Sequence, residues 1–163
     1  MTQPRHDTCT REETPMPERH VRSILHRRRF GPGLVGVRPD ETALGAARHM
    51  AENCCGSVPV MEGGRLLGIF TERDLLVRVV AAGLEPARTP VREVMTADPE
   101  TIGAEEPVDQ AVRRMDEGGL RHLVVVDRGR VLGVLSDRDI PALARGRMAE
   151  EIDERHRQAE RTW

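Results

Sequence analysis

One segment of the sequence occurs twice, as Gly68-Ile69-Phe70-Thr71-Glu72-Arg73-Asp74 and as Gly133-Val134-Leu135-Ser136-Asp137-Arg138-Asp139. In each copy a short apolar run ends at a hydroxyl residue, and an aspartate follows three positions later. This spacing is typical of a capping box, in which the hydroxyl and the carboxylate accept hydrogen bonds from backbone N–H groups at a helix start. Each copy therefore predicts a strand that ends where a helix begins.

The duplication extends well beyond this segment. Residues Val37–Leu75 align without gaps to Ile102–Ile140, and twelve of the 39 aligned pairs are identical. A leading piece, Val21–Leu25, resembles Val91–Met95 at a slightly larger offset. Self-similarity of this extent indicates a tandem duplication of one structural unit.

The first copy predicts the element order β-α-β-β-α. A short apolar segment covers Leu34–Val37, and an apolar stripe with helical spacing follows over Ala43–Met50. Two apolar runs, Ser57–Met61 and Arg65–Phe70, flank a glycine-containing turn and predict a hairpin. The last helix is predicted over Thr71–Ala82, with Gly83 just beyond its end.

The second copy repeats this order. Its short apolar segment is Thr101–Ile102, and its helix carries the stripe Val108, Ala111, Val112 and Met115. The predicted hairpin strands are His122–Val126 and Arg130–Leu135, and a helix begins at Ser136. The predicted fold class is therefore α/β (α+β), with tandem pseudo-symmetric β-α-β-β-α repeats.

The chain divides into four predicted regions. Residues 1–18 are expected to form a disordered tail because they carry few apolar side chains. Repeat one is assigned to 19–85 and repeat two to 86–146. Residues 147–163 are expected to form a charged C-terminal helix or tail.

Composition excludes several functional classes. The 163 residues carry a formal net charge of −2, which is unlike the strongly basic surface of a nucleic-acid coat. The sequence shows neither a bilayer-spanning apolar run nor a signal peptide, so we expect a cytoplasmic protein without a membrane partner. All 25 basic residues are arginine and tyrosine is absent, which excludes catalysis by a Schiff-base lysine or a tyrosine. We expect no enzyme activity, no metal site and no nucleic-acid partner.

The duplicated segment permits two interpretations. In the first it is only a helix cap; in the second it also binds a ligand, because a helix start with a free hydroxyl can hold phosphate. An aspartate one turn further on can accept two hydrogen bonds from a ribose diol, and the glycine allows a ligand close to the backbone. Arg73 and Arg138 fit phosphate contacts and dimer salt bridges equally. The adjacent Cys54 and Cys55 predict packing at a helix end, with a redox-sensitive thiol as the alternative.

The chain resembles the CBS-domain family, and specifically the tandem CBS pair, or Bateman module. Both copies match the family signature Gly-hydrophobic-x-[Thr/Ser]-x-x-Asp, and the resemblance spans about Val21 to Arg145. The segment Thr71–Pro86 is similar to small stand-alone actinobacterial members such as hypoxic response protein. One departure is Val124, which stands where the first copy has Pro59. Secondary hallmarks of the family are Val94-Met95-Thr96, Ser57-Val58-Pro59-Val60 and Arg121-His122-Leu123.

The resemblance implies a regulatory module that needs no cofactor. An adenosine-containing ligand (AMP, ADP, ATP, NAD or S-adenosylmethionine) would occupy clefts between two repeats that pack through their sheets. Aspartates would hold ribose, hydroxyl residues a ribose or phosphate oxygen, and groups near the apolar positions the adenine. The residues implied to bind are Thr71, Arg73, Asp74, Ser136, Arg138, Asp139, Val37, Ser57, Val58, Thr96, Ile102, His122 and Leu123.

The resemblance also implies an assembly. Two chains would pair into a disc-shaped homodimer, and the output would pass to a separate regulated protein. The alternative is a dimeric interaction scaffold or stress-response protein that binds no small molecule. Retention of both hydroxyl–aspartate pairs favours the ligand-binding interpretation.

Overall fold

The computed structural model describes residues 20–25 and 36–140. The predicted N-terminal tail and the predicted C-terminal helix or tail lie outside these residues. The same holds for the continuation of the last helix of repeat two beyond Ile140. Within the described part of the chain, no helix is long and apolar enough to cross a membrane.

Repeat one contains a helix, a hairpin and a second helix in the predicted order. Helix α2 spans Ala43–Glu52, and strands β1 (Ser57–Glu62) and β2 (Arg65–Thr71) form an antiparallel pair. Val37 makes one parallel bridge with Val60 of β1, where a first strand was predicted. The hairpin strands agree with the prediction to within one residue at each end.

The last helix of repeat one departs from the predicted regular helix. It begins as a short α-helix, α3 (Glu72–Asp74), and continues as a π-helix over Leu75–Val80. The Ala81 N–H donates to the carbonyl oxygen of Leu76, five residues back, at 2.8 Å. Val79 is the buried residue of the π-helix. Gly83 adopts a left-handed conformation with φ of 71° just past its end, as the sequence predicts.

Repeat two follows the same order in the described part. Strand β4 (Thr101–Gly103) runs parallel to β5 (His122–Asp127), which pairs antiparallel with β6 (Arg130–Ser136). Helix α5 (Val108–Gly118) buries the whole predicted stripe against the sheet. A short 3₁₀ helix, Asp137–Asp139, follows β6.

The leading helix of each copy packs into the core of the other copy. Helix α1 (Val21–Leu25) contributes Val21 and Ile24 to the core of repeat two. Helix α4 (Val91–Val94) contributes two valines to the core of repeat one, and strand β3 (Thr96–Ala97) then pairs with β2. The core of each repeat is therefore completed by the leading helix of the other repeat. The boundaries 19–85 and 86–146 stay a prediction.

The two three-stranded sheets, β1-β2-β3 and β4-β5-β6, pack against each other through a third apolar cluster. Its buried members are Ile69 from the first sheet and Val124, Val131 and Val134 from the second. Val124, the departure from the proline of copy one, is fully buried in this cluster. The predicted mixed α/β fold of two repeats packed through their sheets is confirmed.

Candidate functional site

The signature segment of repeat one forms the predicted capping box at the end of β2. The Asp74 N–H donates to the Thr71 hydroxyl oxygen at 3.1 Å, and the Thr71 N–H donates to Asp74 Oδ2 at 3.0 Å. The Thr71 hydroxyl donates to the same oxygen at 2.7 Å. Asp74 Oδ1 faces Arg78 at 3.4 Å. The carboxylate is therefore held in one orientation before any ligand binds.

Repeat two reproduces the box with a different hydroxyl contact. The Ser136 N–H donates to Asp139 Oδ2 at 2.8 Å, and the Arg138 N–H donates to the Ser136 hydroxyl oxygen at 3.3 Å. The Ser136 hydroxyl donates to Asp137 at 3.2 Å. The helix-cap interpretation of both segments is confirmed.

Both segments line one cavity of about 400 Å³ between the repeats. The sequence predicted more than one cleft. In the structure the two hydroxyl–aspartate pairs lie on the walls of the same cavity. Its walls include eight of the thirteen residues predicted to bind a ligand: Thr71, Arg73, Asp74, Thr96, His122, Ser136, Arg138 and Asp139.

The other five predicted residues are buried outside this lining. Val37 and Val58 belong to the core of repeat one, and Ile102 and Leu123 to the core of repeat two. Ser57 is 6% exposed. The prediction concerned backbone and apolar groups near these positions as adenine contacts, and it stays a prediction.

The role that the sequence suggested for Gly68 is wrong. A Cβ atom at Gly68 would lie 2.8 Å from the carbonyl oxygen of Thr96 and 2.5 Å from the sulfur of Met95. The missing side chain therefore makes room for β3 and the residue before it, and Gly68 does not line the cavity. Gly133, its counterpart, is likewise outside the lining, and a Cβ there would meet only Leu25 at 3.6 Å.

Sequence reasoning missed two loops that form part of the cavity wall. Cys54-Cys55-Gly56 and Gly119-Leu120-Arg121 both line it, and they align with each other in the duplication. Cys54 and Gly119 both adopt left-handed conformations, with φ of 47° and 60°. The duplication is the signal that could have identified these loops. The two loops occupy equivalent positions in the two copies, so a cavity that lies between the copies is lined by both.

The adjacent cysteines therefore do more than pack at a helix end. Cys55 is half-buried and packs against the core of repeat one, as predicted, but Cys54 is exposed, and both border the cavity. Within residues 20–25 and 36–140, no cluster of three histidine, cysteine or acidic side chains is arranged to hold a metal ion.

Arg78 connects the signature segment of repeat one to the rest of that repeat. Beside its ion pair with Asp74, its guanidinium donates to the carbonyl oxygens of Val94 and Met95, at 3.1 and 2.7 Å. Copy two has Leu143 at the aligned position. The arginine that pairs with Asp74 in repeat one is therefore not repeated in the sequence of copy two.

Comparison with known proteins places this geometry in a family. Residues 21–81 and 91–142 match the family model described as CBS domain. The chain is 42% identical over 106 residues to Meiotically up-regulated gene 70 protein of Schizosaccharomyces pombe, covering 64% of this chain and 14% of that protein. The chain thus spans a small fraction of that relative's length.

Solved structures show the same fold. Hypoxic Response Protein I, a structure with two coordinated zinc ions, superposes with a TM-score of 0.63 at 26% identity, over 76% of this chain and all of that one. The CBS domain protein PAE2072 from Pyrobaculum aerophilum, complexed with AMP, superposes with a TM-score of 0.68 at 25% identity, over 80% and 98% of the two chains. The paired repeats, the duplicated signature and the family match together show that the chain belongs to the CBS domain family.

Proposed function

We propose that this protein is a cytoplasmic regulatory module that binds an adenosine-containing ligand between its repeats and signals to a separate protein. One observation carries the proposal: the two hydroxyl–aspartate pairs, one from each repeat, line the same cavity. A ligand in that cavity would contact both repeats at once. The AMP held by the P. aerophilum relative supports an adenosine compound as the ligand.

The ligand contacts follow from the chemistry of the capping aspartates. A carboxylate offers about four acceptor sites on its two oxygens. In each cap the aspartate Oδ2 accepts from a backbone N–H, that of Thr71 for Asp74 and that of Ser136 for Asp139. We propose that the vicinal hydroxyls of a ribose donate to the same carboxylates. Arg73 and Arg138 are exposed beside the two aspartates and would pair with a phosphate.

Signalling would proceed through the interface between the sheets. Ile69 lines the cavity and also belongs to the apolar cluster that joins the two sheets. A ligand shifts an equilibrium only by its difference in affinity for the two states. A ligand that bridges the repeats would favour the arrangement in which both aspartates reach it, and it would thereby change the packing around Ile69.

Regulation accounts for the site better than catalysis. Both signature hydroxyls are already hydrogen-bonded within their caps, and each aspartate holds a backbone N–H of its own segment. A general base or nucleophile needs an activating partner within hydrogen-bond distance of the reacting atom. The arrangement favours holding a polar ligand over transforming it.

A thermal-shift panel tests the proposal directly. The full chain would be heated with AMP, ADP, ATP, NAD, S-adenosylmethionine or a cyclic dinucleotide, with GMP as the matched control for base identity. We expect at least one adenosine compound to raise the melting temperature progressively with its concentration, as mass action requires. A concentration of about 100 times Kd corresponds to about 2.7 kcal/mol of added stability. A flat response to every adenosine compound would contradict the proposal.

A second candidate is a homodimeric interaction scaffold, and an exposed apolar strip favours it. The strip consists of Leu76, Val77, Val80 and Leu84, whose exposed fractions run from 43 to 61%. Large apolar side chains clustered on a surface mark contact sites between proteins. We expect the ligand-free chain to form a dimer that the change Val77→Glu weakens.

Light scattering across a concentration series tests this candidate. The matched control is Gln110→Glu, which adds the same single negative charge on the exposed side of α5, outside the strip. A chain that remains monomeric at about 100 µM, well above the Kd of a stable dimer, would contradict the scaffold.

A further inference from the structure

Arg78 holds together two parts of the cavity wall that lie on different elements. Its Nε lies 3.4 Å from Asp74 Oδ1 in the signature segment of repeat one. Its Nη1 donates to the carbonyl oxygens of Val94 and Met95, at 3.1 and 2.7 Å. Asp74 borders the cavity, and so does Thr96, which follows these carbonyls in the chain. One side chain therefore ties the signature segment to the stretch of chain that leaves α4.

This stretch, residues 96–100, is named the crossing segment because it runs from one sheet to the other. At its start, β3 pairs with β2 of repeat one. At its end, the Glu100 carbonyl oxygen accepts from the Val124 N–H of β5 at 3.0 Å. Thr96, Pro99 and Glu100 line the cavity, and Val124 belongs to the apolar cluster that joins the sheets. The crossing segment therefore connects the cavity wall to the interface between the repeats.

The two carboxylate oxygens of Asp74 differ in their contacts. Oδ2 accepts from the N–H and from the hydroxyl of Thr71, at 3.0 and 2.7 Å, whereas Oδ1 faces Arg78. A carboxylate oxygen offers about two acceptor sites, and both are used at Oδ2. A ligand hydroxyl that donates to Asp74 would therefore reach Oδ1, beside Arg78. The Arg78 side chain is 45% exposed, and an ion pair of this exposure adds little to stability.

Building on the proposed function, we propose that Arg78 is a positioning residue that couples ligand binding at Asp74 to the crossing segment. It orients Oδ1 towards the ribose hydroxyls, and it holds the end of α4 from which the crossing segment starts. A ligand that fixes the Asp74 carboxylate thereby also fixes the crossing segment, and the coupling is reciprocal. The device belongs to repeat one, because the sequence of copy two has Leu143 at the aligned position.

Isothermal titration of the full chain with AMP, ATP and NAD tests the positioning role. R78M removes the guanidinium, and we expect it to bind each compound that the native chain binds about tenfold more weakly. R78K keeps a charge and hydrogen-bond donors, so its loss should stay below about threefold. The matched control, R88M, removes the same group from an exposed position outside the cavity lining and should leave the affinity unchanged.

A double-mutant cycle distinguishes positioning from a general loss of structure. If Arg78 acts through Asp74, R78M should weaken binding by less than about threefold when it is added to D74N. Independent effects would instead multiply, and the full tenfold loss of R78M in the D74N background would overturn the proposal. Should R78M fail to fold, R78K and R78K/D74N complete the same cycle.

Hydrogen exchange measures the coupling at the crossing segment itself. In the native chain, a saturating concentration of the ligand should slow exchange in peptides that cover residues 94–100 by at least about threefold. In R78M at saturation, exchange should slow in the signature segment and stay unchanged in residues 94–100. Equal slowing of residues 94–100 in both chains would show that the ligand orders the crossing segment without Arg78, and the proposal would be wrong.

The outcomes separate the two proposals. If AMP, ATP or NAD binds the native chain and binds R78M equally well, the positioning role is wrong and an adenosine-binding module remains. If no adenosine compound of the thermal-shift panel binds the native chain, the proposed function is wrong, and the positioning role is wrong with it.

Discussion

Replacing Gly68 with alanine is expected to lower the free energy of unfolding by about 2–3 kcal/mol, the upper range for overpacking. The new Cβ would approach Met95 Sδ to 2.5 Å and the Thr96 carbonyl oxygen to 2.8 Å. The methionine side chain can rotate away, but the carbonyl belongs to strand β3, which pairs with β2. The contact can be relieved only by moving β3 away from the sheet.

The matched control is the same change at Gly133, the aligned position in repeat two. A Cβ there meets the flexible end of Leu25 at 3.6 Å, an ordinary van der Waals distance. Because alanine costs less conformational entropy than glycine in a strand, G133A should be neutral or stabilise by up to about 1 kcal/mol. Urea denaturation of both variants measures the difference. Equal losses would show that the approach of β3 does not determine the need for glycine.

Replacing Asp139 with alanine is expected to weaken the binding of AMP about tenfold to a hundredfold. The carboxylate would supply charge-assisted acceptors to a ribose diol, and such hydrogen bonds contribute about 1.5–3 kcal/mol. Isothermal titration with AMP measures the loss. An unchanged affinity would remove Asp139 from the ligand site.

Two further variants separate ligand binding from helix capping and from charge. D139N keeps an oxygen that can accept the Ser136 N–H, so its apo stability should stay near that of the native chain while AMP binding falls. D109A removes one carboxylate from the exposed face of α5, away from the cavity, and should leave AMP binding unchanged. Weakened binding in D109A would mean that overall charge, and not the contact, controls affinity.

The sequence predicted the parts of this protein that depend on neighbours along the chain. Both hairpins were located to within one residue because alternating apolar runs flank turns whose residues, such as Gly63 and Gly64, adopt positive φ. The stripe on α5 predicted its buried face, and the spacing of Thr71 and Asp74 predicted the capping box. The duplication indicated two equivalent units, and the two sheets with their flanking helices match that expectation.

The sequence was less informative wherever distant segments meet. The sequence analysis proposed that the signature glycines let a ligand approach the backbone, but Gly68 makes room for β3. The contact with β3 cannot be predicted from the residues next to Gly68 in the chain. It treated Cys54 as part of a helix end, although the loop that carries it faces the cavity. The π-helix after Asp74 was also missed, because the wider helical turn leaves the apolar composition unchanged.

Local sequence patterns were sufficient to predict the repeated unit, its strands and helix starts, and the capping aspartates. These features depend on hydrogen bonds and side-chain periodicity within a few residues of the chain. The exchange of α1 and α4 between the two cores, and the cavity that both signature segments line, emerge only from the packed fold. The physical reason is that burial and the lining of a cavity depend on which surfaces meet, and surfaces far apart in the chain meet only when the two sheets pack.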